Sequence, residues 1–115
     1  MGRLVAFVLA LTLSWIGNAF DTSHALWGEV LNQYRTDNGL VAYAPLKAAM
    51  AANPKHPLRT YLTHLSAVSA PSFDSWSRDE QMAFLINAYN AFTVQWVLHH
   101  YPVTSIKKTV GWFAS

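Results

Sequence analysis

Asn87 and Asn90 stand three residues apart in a stretch without a charged side chain, so on a helix their amides project as neighbours from one face. Each amide carries two donors and an acceptor, enough to orient a substrate or to hold a loop that bears catalytic groups. An asparagine pair of this kind serves equally well to satisfy backbone groups of an adjoining segment, in which case Asn87→Ala lowers stability and leaves binding alone. With Tyr89 between them, these three are the candidate binding residues, and no catalytic residue is assigned.

The histidines offer less. His24 lies near Asp21 and Ser23, an acid, a hydroxyl and an imidazole within four positions, but a triad is set by geometry and not by order, and capping of a helix start is the plainer role. His99 and His100 diverge by about 100° on a helix and cannot grip one metal as an i, i+4 pair does. His56 and His64 show no partner pattern, no glycine-rich phosphate loop is present, and with no cysteine there is neither a thiolate zinc site nor a disulfide. No metal or cofactor is expected.

The elements that position these residues follow from periodicity. Ser23 can cap a helix whose face is Leu26, Trp27, Val30, Leu31 and Tyr34, and Asp37-Asn38-Gly39 ends it in a turn. Leu40 to Tyr43 reads as an extended segment, and Pro45 opens a short helix carrying Leu46, Ala49 and Met50. Asn53-Pro54 and His56-Pro57 break it; Leu58, Tyr61, Leu62, Leu65 and Val68 form a second amphipathic stripe, and Ser66 to Ser75 reads as a loop. Ser77-Arg78-Asp79-Glu80 is a capping box, and the helix it starts runs to His99-His100 before Tyr101-Pro102.

On that last helix Leu85, Tyr89, Phe92 and Trp96 share one sector, while Ala83, Asn87, Asn90, Ala91 and Val94 lie opposite. The bulky face is expected to bury against the two amphipathic helices, with Trp27, Tyr89 and Trp96 in the core; the small-residue face would receive another backbone. Gln81, Asn87, Asn90, Thr93 and Gln95 make a membrane span unfavourable despite the lack of charge. The fold class is therefore mainly α, a small bundle of about four helices around one long central helix.

Composition agrees with a single small globular domain: 115 residues, 52% hydrophobic, 12% charged and a formal net charge of +2. The basic balance reflects few acids and not a basic patch, so nucleic acid is not an expected partner. Residues 1–19 read as a signal peptide, with Arg3, the apolar run Leu4 to Leu13 and Gly17-Asn18-Ala19 as a cleavage site. The chain is thus expected to be exported to the periplasm or the extracellular space, with no membrane span after cleavage.

Gln81-Met82-Ala83-Phe84-Leu85-Ile86-Asn87-Ala88-Tyr89-Asn90-Ala91, then Tyr101-Pro102-Val103-Thr104-Ser105-Ile106, resembles the hallmark of the domain-of-unknown-function 547 family. Ser23 to Trp27, the Ser77 to Glu80 helix start, and Gly39-Leu40-Val41-Ala42-Tyr43, where the family tends to have Gly-x-Val-Asp-Tyr, extend the likeness over about residues 20–113, with Ala42 in place of the usual acid. The resemblance implies a longer α+β domain of which this is the N-terminal half. Its second half, with a Cys-containing segment and further His and Arg positions, has no counterpart here. It implies an extracytoplasmic hydrolase-like domain whose reactive groups lie beyond Ser115, shaped from this half by Asn87 and Asn90. The alternative is a non-catalytic envelope module for binding or scaffolding, whose partner is the missing half or another envelope protein. Titratable groups converging beside Asn87 would mark the first, an apolar groove the second.

Overall fold

The computed structural model describes residues 19–102. The signal peptide read over residues 1–19 lies outside the described residues but for its last, Ala19, and Lys107-Lys108 and Trp112-Phe113 lie outside them too.

Among the described residues five helices follow in order: α1 Ala25–Tyr34, α2 Tyr43–Ala52, α3 Pro57–Ser66, α4 Ala70–Asp74 and α5 Arg78–His100. Among the described residues there is no strand; Arg35 and Val41 make one isolated antiparallel bridge across the turn in which Gly39 takes a φ of 80°. The mainly helical class read from the sequence holds.

Helix starts are set locally. Ser77 Oγ accepts from the Glu80 N–H while the Glu80 carboxylate accepts from the Ser77 N–H, the reciprocal box expected there. The bond from Ser77 also holds the Glu80 carboxyl below the usual range. Ser66 to Ser75 is not a loop throughout. Ser69 Oγ accepts from the Ser72 N–H, and with Pro71 in the first turn this suffices to wind α4. Ser23 is likewise not the cap of α1. Asp21 does that work, accepting from the Ser23 and Ala25 N–H groups and from the Ser23 hydroxyl, which together hold its carboxyl low, and His24 occupies the cap position itself.

Packing centres on α3, which lies against both α1 and α5, while α2 lies against α1. Trp27 stacks on Tyr61 at 5.8 Å and 9°, and Leu46 and Leu58 are the two largest side chains completely enclosed. Side chains tie the ends together: Arg59 Nη2 donates to the Met50 carbonyl, Lys47 Nζ to the Tyr101 carbonyl and Gln81 Nε2 to the Phe73 carbonyl. A second cluster of rings, Phe20, Phe73, Trp76 and Phe84, seats α4 and the segment before α1 against the start of α5.

α5 meets this core by the opposite face from the one expected. Ala91, Val94 and Leu98 are buried, with Phe84 and Ala88 packed against the same core. Met82, Leu85, Ile86, Tyr89 and Phe92 are exposed. Alanines at 88 and 91 give α5 a low ridge that lets it approach α3 closely, whereas bulky side chains there would hold the helices apart. Trp27 is core as expected, Tyr89 is not, and Trp96 is half-buried.

Candidate functional site

Two groups of chemistry-bearing residues stand out, one inside the fold and one on its surface. The inner group consists of two histidine–tyrosine pairs. His56 Nδ1 accepts from the Leu58 N–H, so its Nε2 carries the hydrogen and donates to Tyr34 Oη at 3.2 Å. His24 Nδ1 lies 2.6 Å from Tyr61 Oη, while its Nε2 is buried without a hydrogen-bond partner. Burial, only partly offset by Asp21 for His24 and reinforced by Arg59 for His56, lowers both imidazole pKa values, and burial pushes Tyr61 up to about 12.

These pairs brace α1 against α3 and its cap. His24 sits in the left-handed region at φ 56°, a conformation held in place by Asp21 and by its enclosed ring. Asp21 and Ser23 bond to each other and to backbone, and neither hydrogen-bonds to the His24 ring, so the three do not assemble as a catalytic triad. Tyr61→Phe removes the hydrogen bond made by the His24 ring and is expected to cost about 1 kcal/mol in denaturant unfolding, with the Trp27 stack intact.

Acid acts through the same pairs. Both imidazoles hold a proton less readily in the fold than in the unfolded chain, where they titrate near pH 6.5, so ν for the unfolded state exceeds ν for the folded state between that pH and the lowered folded values. Stability is then complete above pH 6.5 and falls as pH drops below it, by at most about 1.4 kcal/mol per pH unit for each histidine. Urea midpoints measured from pH 8 to pH 5 check the sign, and replacing His56 should flatten the slope.

The surface group is the outer face of α5. Met82, Leu85, Ile86, Tyr89 and Phe92 follow one another along more than two turns, with Tyr89 74% exposed. A groove of about 380 Å³ runs beside it, lined by Arg59, Leu62 and Thr63 of α3 and by Phe92 and Gln95 of α5. Asn90 is exposed at the margin of this face and Asn87 is half-buried on the other side; neither side chain makes a hydrogen bond among the described residues. The structure therefore separates the candidate set, with Tyr89 and Asn90 outward and Asn87 turned toward the core. Sequence reasoning missed Met82 and Ile86, although Met82, Tyr89 and Trp96 recur at seven-residue intervals, a readable signal for a second seam.

A further hollow, of about 310 Å³, is lined by Ala19, Phe20, His64, Ser72 and Trp76 among others. His64 lines it alone, and its serines are engaged within the α4 turns. Among the described residues no three His, Asp or Glu side chains are placed to hold a metal, and no helix is long and apolar enough to cross a membrane.

Among the described residues, fold and face together define a small helical bundle whose longest helix carries exposed large apolar side chains along one side. Residues 73–114, from the end of α4 through α5 and on beyond Pro102, match the family described as "Protein of unknown function, DUF547", which bears out the resemblance read from the α5 motif. The likeness noted before residue 73 lies outside that match. No curated protein and no solved structure matches the chain.

Proposed function

We propose that this chain is an exported, non-catalytic docking module that uses the outer face of α5 to receive a helical partner. The observation that supports it is the continuous row of exposed large apolar side chains from Met82 to Phe92. Scattered exposed apolar residues are ordinary; five on one helical face form the contiguous patch that marks interaction sites. The charge-free run from Gln81 to Leu98 means that a partner meets this face without burying an unpaired charge. The hydrolase-like reading places its reactive groups past Ser115 and draws on Asn87 and Asn90 alone among the described residues, whereas the docking reading draws on five.

A photo-crosslinking side chain at position 89, in the protein expressed in its own host, tests this reading. An adduct of defined mass is expected from position 89 and none from position 29, an exposed site on α1. Absence of any adduct from 89 would remove the docking reading.

A further inference from the structure

We infer that the occupant of this face is a second copy of the chain, its α5 lying antiparallel to the first across a two-fold axis at Tyr89. The inference rests on the docking reading and names the partner that the reading leaves open.

Three observations carry it. The first is the spacing. Met82, Leu85, Tyr89 and Phe92 fall at the alternating intervals of three and four that let two helices interlock side chains along a seam, and Trp96, half-buried with its ring against His100, closes the row. The seam is distinct from the one that α5 uses against α3, which runs through Phe84, Ala88, Ala91 and Leu98.

The second is symmetry. Residue 89 is the midpoint of Arg78–His100, so an antiparallel pairing centred there sets Ile86 against Phe92 of the second copy, Met82 against its Trp96 and Asp79 against its His99. Ile86, Phe92 and Tyr89 then meet apolar or half-apolar side chains and Leu85 meets the methyl-bearing side of Thr93, whose hydroxyl is bonded to its own Tyr89 carbonyl, while at the ends Asp79 meets an imidazole and Arg78 meets His100. A parallel pairing would bring Asp79 and Glu80 against their own copies and align the two helix dipoles.

The third is area. Taking about 200 Å² for a fully exposed side chain of this size, the five expose on the order of 500 Å² per chain, or about 1,000 Å² over two copies. That reaches the threshold of a specific interface and predicts a dimer of modest affinity. The groove of about 380 Å³ beside Phe92 gives the second copy's Ile86 side chain a place to seat.

Sedimentation equilibrium of the full chain from about 1 to about 200 µM is expected to show the mass doubling with concentration. Tyr89→Glu puts two carboxylates at the axis and should raise the dissociation constant at least about 100-fold with unchanged helicity, since the side chain is outside the core. Arrangement is read from disulfides. Tyr89→Cys links to its own copy under mild oxidation. Met82→Cys, about 20 Å from its own copy in this pairing, links only to a Trp96→Cys variant. A monomer throughout the range, or a Met82→Cys self-link, overturns the inference. If a monomeric chain still yields a defined adduct with another protein from position 89, the copy is excluded while the docking reading stands; if it yields none, both fall.

Discussion

Leu58→Ala should lower stability by roughly 2–5 kcal/mol, enough to bring the thermal midpoint down on the order of 10–30 °C. Leu58 has no exposed surface, and it sits in the first turn of α3, the helix packed on both α1 and α5. The backbone there is pinned by Pro57 and by the Leu58 N–H bond to His56 Nδ1, so little relaxation can fill the space left by three missing carbons. A domain of this size holds only about 5–10 kcal/mol in all, so one truncation removes a large share. Circular-dichroism melts of the two chains decide it, and a shift below about 5 °C would show that α3 does not anchor the bundle.

The second large effect separates the two faces of α5. Ala91 is completely enclosed, and Ala91→Leu is expected to cost about 3 kcal/mol because the added carbons have no space between α5 and α3. Tyr89→Ser, two residues along, deletes a far larger side chain yet should change stability by no more than about 0.5 kcal/mol in dilute solution, since Tyr and Ser have similar helix propensity and the ring is outside the core. Were the aromatic face the buried one, the order would reverse, with Tyr89→Ser costing as much as a large core truncation. Denaturant titrations at about 1 µM, below the range of self-association, give both values.

Most helix boundaries were legible because each is written in a few neighbouring residues. The Ser77/Glu80 box, the prolines at 54, 57 and 102 and the Asp37-Asn38-Gly39 turn fix ends through local sterics and hydrogen bonds that the sequence displays. Where two signals compete, reading is harder. Ser23 looked like the cap of α1, but Asp21 reaches the Ala25 N–H with a charged acceptor and also binds the Ser23 hydroxyl, which takes that hydroxyl out of a capping role. α4 was hidden in a serine-rich stretch because its one turn depends on Ser69 and Pro71 acting together.

The orientation of α5 was not legible from periodicity, since both of its faces are apolar and hydrophobicity alone favours the bulkier one. Helix–helix distance decides instead, and α3 accepts the alanine ridge. The division of the candidate site follows from that. Asn87 lies on the ridge side and Asn90 and Tyr89 lie outward, so residues adjacent in sequence serve different surfaces. The histidine–tyrosine pairs join residues 37 and 22 positions apart, and nothing in the spacing of either histidine points to its partner.

Because the chain has no cysteine, thiols can be placed singly along α5 and their labelling rates read as accessibility. At about 1 µM, cysteines at 85, 89 and 92 are expected to label at the rate of a free peptide, and those at 91, 94 and 98 at least about 100-fold more slowly. Slow labelling at 85 and 89 with fast labelling at 91 would show α5 turned the other way and would contradict the docking face.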